Sequence, residues 1–290
     1  MEEIRPMDVL FEAAHGPCVR LPQELARLYG PLRLPDRPGR PCVISDYVAT
    51  MDGVVSLEPP GPAPGPKTPG QLISGDSAAD KLVLALVHAL ADVLLIGDSG
   101  VRGNPRDARR AEAIYPPLAD EFRQLRAELG KPPRPPVVVL SPEGHLDPAS
   151  PLFHARESRL AILTAEETAA ALPARGFPPD VAVLSLPRGP NGLFTARSVL
   201  AAVQRFQPSR LVLCDAGPRF MAHLIAERCL DELFLTIAPQ LAGRDAAPGR
   251  PGLVQGRLFA PVDPRHFDLV SIRRAGHHLL LRYRAVQGIA

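Results

Sequence analysis

The run Asp92-Val-Leu-Leu-Ile-Gly97 is short and almost wholly apolar. With apolar residues at successive rather than alternate positions, it reads as a strand covered on both faces, as in a parallel sheet sandwiched by helices. The segment before it agrees. Ser77 and Asp80 have the spacing of a capping box, with Asp in the usual Glu position. Leu82, Leu86 and Leu90, beside Val83 and Val87, then form one face of a helix over 77–90. The same alternation continues along the chain, with helices over 117–129, 195–206 and 218–229 and strands over 136–140, 159–163, 181–186 and 210–214. A capped helical turn is expected from Thr164. The first strand spans 41–48, and residues 1–40 read as a turn-rich N-terminal arm with one short helix over 23–29. Helices alternating with strands predict an α/β fold. The end differs: strands over 231–238, 266–273 and 277–284 have no helix between them, and the last two, joined through Gly276, predict an antiparallel hairpin. The sheet is therefore mixed and mainly parallel.

Composition bounds what such a chain does. A length of 290 residues allows one large domain or two small ones, and a net charge of +2 makes no electrostatic case for nucleic acid. The longest apolar stretch, 82–96, is interrupted by His88 and Asp92 and is too short to span a bilayer. The N-terminus lacks the basic-then-apolar pattern of a secretory signal, so a cytoplasmic protein is expected. Cys18, Cys42, Cys214 and Cys229 form no C-x-x-C pair and lie near no histidines at zinc spacing, so no metal is expected. Prolines number 35, about 12% against an ordinary ~5%. Six of them, Pro59 to Pro69, form an extended loop that is a candidate lid.

Three segments at strand ends are placed to carry chemistry, because α/β sheets bind ligands there. After the first strand, Asp52-Gly53 offers a carboxylate that could relay a proton, or an ordinary turn. Gly97, Gly100 and Gly103 leave backbone N–H groups accessible to phosphate, unless they are simply a flexible loop. Finally, Asp215-Ala-Gly217 leads into a helix with Pro218 at its first position, and a helix N-terminus attracts anions. Asp46 shares a strand face with Ile44 and Val48, and a carboxylate on a core-facing position needs a partner.

Taken in order, these segments resemble the pyrimidine reductase family of riboflavin biosynthesis, the reductase domain of the bifunctional deaminase/reductase. Its S-L-D-G stands here as Thr50-Met51-Asp52-Gly53, and its Q-W-I-S as Gln71-Leu72-Ile73-Ser74. Its G-x-G-T-V and D-N-P turn correspond to Gly97 to Val101 with Asn104-Pro105, and its E-G-G-P to Asp215-Ala216-Gly217-Pro218. V-D-E-L, A-P and a later glycine are matched by Leu230 to Leu233, Ala238-Pro239 and Gly243. The resemblance implies a dihydrofolate reductase-like, three-layer α/β/α domain over 41–290, and a homodimer, as the family tends to form. It also implies NADPH as hydride donor and a phosphoribosylamino-pyrimidine whose ribose is reduced to ribityl. Ala49, Leu72, Gly97, Gly100, Val101, Asn104, Gly217, Pro218, Arg219, Phe220 and Met221 would contact the cofactor. Asp52 would be catalytic, and Asp46, His88 and Asp215 would bind substrate. This chain departs from the family pattern in four places: Gly100 replaces Thr, Asp215-Ala216 replaces Glu-Gly, His88 replaces a substrate-binding Arg, and Asp46 replaces Lys or Asn. Those departures leave open a reductase of another heterocycle or carbonyl, or a nucleotide-binding protein without catalysis.

Overall fold

Side chains alternate along a strand, so a strand buried on both faces must feed two separate cores. The structure, a computed structural model, describes residues 4–14, 16–57, 67–103, 110–155, 158–189, 192–244 and 249–286. Among them one sheet is built from β1 (Asp8–Glu12), β2 (Cys42–Ala49), β3 (Val93–Gly97), β4 (Val137–Leu140), β5 (Leu160–Ala165), β6 (Ala182–Leu186), β7 (Leu211–Asp215), β8 (Glu232–Ile237), β9 (Phe267–Ala275) and β10 (His278–Ala285). Their order is β1-β9-β10-β8-β2-β7-β3-β4-β5-β6. From β8 to β6 neighbours run parallel, and from β1 to β8 they run antiparallel.

The helices are α1 (Gln23–Tyr29), α2 (Pro69–Ser74), α3 (Ala78–Leu90), α4 (Asp98–Gly103), α5 (Ala111–Ile114), α6 (Ala119–Glu128), α7 (Glu166–Ala169), α8 (Ala196–Phe206) and α9 (Pro218–Ala226). Ile44, Leu94, Ile96, Val139 and Leu213 pack on one face with Leu25, Leu82, Leu86 and Phe122 from α1, α3 and α6. Val43, Val93, Leu95, Val138 and Val212 pack on the other face with Val199, Val203, Met221 and Leu224 from α8 and α9. This is the three-layer α/β/α arrangement with a mixed sheet that the sequence predicts. The expected hairpin is present too, with Gly276 at φ 57° in the two-residue turn from β9 to β10. Cys42, Cys214 and Cys229 are buried and free, and burial pushes the Cys214 thiol up to about 12.

Several local readings need correction. Thr164 is not a helix cap: it lies in β5, donates to the Pro142 carbonyl at 3.0 Å, and α7 begins two residues later. The glycine-rich segment after β3 is not a loop but starts α4 at once, since none of its glycines adopts a positive φ. The capping box at Ser77 is half formed: Ser77 accepts the Asp80 N–H at 3.4 Å, while the Asp80 carboxylate serves elsewhere. A complete box occurs one helix earlier, where Thr68 and Gln71 bond reciprocally at the start of α2. Most of the proline cluster, including Pro59, Pro60, Pro62, Pro64 and Pro66, lies outside the described residues; Pro69 opens α2.

The first forty residues supply β1 and α1, and buried charge fastens them to the sheet. Arg273 donates to the carbonyls of Tyr29 at 2.8 Å and Pro31 at 2.6 Å, and lies 2.8 Å from Glu12. Its guanidinium also sits over the Tyr29 ring, 4.1 Å from the centroid. Asp231, fully buried, accepts from Arg37 at 2.8 Å, from Arg40 at 2.6 and 2.7 Å, and from the Val43 N–H at 2.9 Å. Arg273 and Asp231 thus have hydrogen-bond partners, which is the condition for burying a charge.

Candidate active site

The sheet opens where β2 and β7 part company. The two strands pair only from Cys42 to Ile44, after which β2 follows β8 as far as Ala49 and β7 follows β3 as far as Asp215. The connection after β2 runs through α3 on one face, and α9 after β7 packs on the other. A reversal of that kind leaves a crevice at the carboxyl ends of the strands, where open α/β sheets bind ligands. Tyr47 crosses the crevice on the α9 face, its hydroxyl donating to the Ala216 carbonyl at 2.5 Å.

On the β7–β3 side the crevice is walled by bare backbone. A Cβ placed on Gly97 would come 3.7 Å from the Gly217 nitrogen and 3.9 Å from Ala216 Cα; one placed on Gly100 would meet nothing within 4 Å. The N-terminus of α9 has Gly217 as its N-cap and no side-chain cap. Phe220 and Met221 point into the core, and their N–H groups bond the Gly217 carbonyl, whereas the Arg219 side chain is exposed. Pro218 has no N–H and the Phe220 and Met221 N–H groups are taken, so the N–H groups of Gly217 and Arg219 and the dipole of α9 are what this helix start could offer an anion such as a nucleotide diphosphate. Val101, in contrast, packs into the α3-side core. Asn104 lies outside the described residues.

Asp52 is bound on several sides. Oδ1 accepts from Thr50 Oγ1 at 2.6 Å and from the Ala242 N–H at 3.1 Å, and Oδ2 accepts from the Gly243 N–H at 2.8 Å. The Thr50 hydroxyl and the Ala242 amide lead in pulling its pKa down to about 2, so at neutral pH it holds no proton to give. Its geometry is that of a tether between the turn after β2 and the segment after β8.

Asp46 is placed very differently. It projects to the α3 face with Asp215, Thr236 and His278, as strand alternation from Ile44, Leu213, Phe234 and Leu280 requires. Its Oδ1 is buried and, among the described residues, has no hydrogen-bond partner, contrary to the expectation that it would have one. Burial first, then Asp80 and Asp215, raise its pKa well above the usual carboxylate value. Phe234 pairs with Asp46 across the strands and carries Arg282 on its ring, but Arg282 is committed to Glu232 at 2.5 Å. Burial also raises Asp80, an effect that the Thr236 and Ser74 hydroxyls, His278 and Lys81 partly offset.

A cleft of 1310 Å³ opens beside Asp80, lined by Ser74, Ala79, Lys81, Arg274, His277 and His278 among others. His278 Nε2 lies 3.0 Å from the Ser74 carbonyl. Asp80, Tyr47 and His278 were not singled out for this site by the sequence: Asp80 on α3 and His278 on β10 are about two hundred residues apart, Tyr47 reaches Ala216 on the opposite face, and no local pattern signals either contact. The structure brings Asp46, Ala49, Gly97, Asp215 and Gly217 to one edge, with Leu72 beside it on α2. It does not bring His88 there. His88 is eight residues beyond Asp80 on the same helix, about 12 Å along its axis, buried at the far end, where Arg126 binds its carbonyl.

The fold is similar to that of several solved proteins. RibD of Acinetobacter baumannii superposes with a TM-score of 0.62 at 17% identity, covering 86% of this chain and 59% of that one. A pyrimidine reductase-like protein of Corynebacterium diphtheriae gives 0.63 at 16% identity, covering 86% and 93%. The riboflavin biosynthesis reductase of Saccharomyces cerevisiae gives 0.55 at 12% identity, covering 87% and 93%. This chain thus spans about three-fifths of the Acinetobacter protein. No curated protein sequence matches it significantly. The family model described as the RibD C-terminal domain matches residues 41–281, well over half of the chain, and the protein belongs to that family.

Proposed function

We propose that the protein is an NADPH-dependent reductase that converts the ribosylamino group of 5-amino-6-(5-phosphoribosylamino)uracil, or of a close analogue, to ribitylamino. The observation that carries this reading is the parting of β2 from β7, with the glycine backbone of Gly97 and Gly217 beside it; the 1310 Å³ cleft lies further along, between the start of α3 and the β9–β10 turn. NADPH, when bound, supplies the hydride; the fold supplies alignment. Gly97, Gly100, Gly217 and Arg219 would hold its phosphates through backbone and charge, with Pro218 fixing the turn into α9 and Asn104 added on family grounds, while Ala49 and Leu72 would wall the crevice. Asp215 and Asp46 face the substrate. Lys81 lines the cleft beside His277 and His278 and would give an anionic substituent on the substrate a positive charge. Asp52 fixes the loop that closes one end of the site, a positioning role. Holding the reacting groups in one geometry provides much of the acceleration in such a reaction.

A cytoplasmic homodimer is part of the same proposal, supported by family membership and by the absence, among the described residues, of any helix long and apolar enough to cross a membrane. The test is consumption of NADPH by the purified chain when the deaminated ribosylaminopyrimidine phosphate is added, with sedimentation to measure its mass. Tight NADPH binding without turnover of this compound rejects the substrate and keeps the cofactor.

A further inference from the structure

We propose that Asp46 is the acid that protonates the substrate nitrogen in this reduction, its side chain standing in the crevice where β2 parts from β7 with Oδ1 buried and unpartnered. The inference rests on the reductase reading above. An open-chain imine requires two additions: its carbon gains a hydride as the dihydronicotinamide is oxidised by two electrons, and its nitrogen gains a proton. That proton leaves the Asp46 carboxyl, which becomes a carboxylate and regains a proton from water. The product is the secondary amine, so atoms and charge balance.

Three observations single out Asp46. Its buried Oδ1 has no donor among the described residues, and the side chain as a whole is only half-buried, so a ligand seated in the crevice could meet its other oxygen. The charged groups that bear on it are Asp80 from α3 and Asp215 from β7, both acidic, and like charges favour the neutral, proton-carrying form. His278 and Lys81 act on Asp80, not on Asp46 itself. Asp52, in contrast, is saturated by Thr50, Ala242 and Gly243 and has no proton to donate. Nor do the three carboxylates form a metal site, since among the described residues no group of three such ligands could hold an ion.

Asp46→Asn and Asp46→Glu separate the possibilities. Both variants are expected to fold and to bind NADPH like the wild type by fluorescence titration. Turnover should fall by about a hundredfold or more in Asp46→Asn, the ordinary size of a lost general acid, and recover in part in Asp46→Glu. Wild-type turnover should decline as pH rises through the Asp46 pKa, and Asp46→Asn should lose that limb. Independently of any substrate, carbon-13 NMR of labelled aspartate should show a protonated carboxyl at neutral pH that is missing from Asp46→Asn. A wild-type chain that binds NADPH but leaves the pyrimidine unchanged refutes the substrate reading, and the NMR signal still decides Asp46. An ionised Asp46 at neutral pH, or undiminished turnover in Asp46→Asn, overturns the assignment.

Discussion

The Asp52 carboxylate accepts the Gly243 N–H at 2.8 Å, fastening the turn after β2 to the segment after β8. Its pKa of about 2 lies below the ordinary 3.8, so the folded state binds this proton less tightly than the unfolded chain. The stabilisation is therefore present above about pH 4 and is lost as pH falls through 2. Asp52→Asn should lower the melting temperature at neutral pH by about 2–4 °C, the size of one lost net hydrogen bond, and should remove that portion of the acid sensitivity. Turnover should fall by less than about tenfold, because the residue positions a loop and gives no proton. Melting curves from pH 2 to 7 and steady-state rates check both statements.

Gly100 tests the cofactor wall from the opposite direction. A side chain there meets nothing within 4 Å, and the position is helical. Gly100→Thr should fold at least as stably as the wild type, since glycine is a poor helix former. It should bind NADPH about fivefold more tightly if its hydroxyl makes one net hydrogen bond to the cofactor. Fluorescence titration of the two proteins measures the difference.

Removing Asp231 would leave Arg37, Arg40 and the Val43 N–H without their shared acceptor. Both arginines are partly exposed and can regain water, so Asp231→Ala should cost about 3 kcal/mol, the lower end of the range for breaking a buried pair. Urea unfolding gives the value, and a loss below about 0.5 kcal/mol would mean that the arm is held by other contacts.

His88 lies at the end of α3 away from the crevice, with the Arg126 guanidinium capping the last carbonyls of that helix, including Ala89 at 2.9 Å and Ala91 at 3.0 Å. His88→Leu should change thermal stability while leaving KM for the pyrimidine within about twofold of wild type. A large rise in KM with stability intact would return His88 to the substrate site.

What the sequence made legible follows from how local each signal is. Val93 to Ile96 announce a strand buried on both faces, and Gly276 announces the hairpin, because the cause lies within a few residues. β1 was not legible: Asp8 to Glu12 form an exposed edge strand without apolar alternation, and only pairing with β9 makes it a strand. The glycines after β3 resemble a loop, yet an α-helix begins there. Arg273 and Arg282 look like surface charges until Tyr29, Pro31, Arg33 and Glu232 close around them. The site was partly legible in the same sense. Strand-end motifs located Gly97, Asp215 and Gly217, but the opposite characters of Asp46 and Asp52 depend on neighbours as remote as Asp80, Asp215, Ala242 and Gly243.

Every role proposed above depends on transfer of a hydride from NADPH to a ribosylaminopyrimidine held between β2 and β7. The most direct measurement is the decay of NADPH absorbance when the purified protein meets 5-amino-6-(5-phosphoribosylamino)uracil, run beside Gly97→Val. Steady NADPH consumption with formation of the ribitylamino product is expected, and a loss of at least about tenfold in kcat/KM when a side chain fills the Gly97 wall. No consumption by the wild type, or consumption unaffected by Gly97→Val, would contradict it.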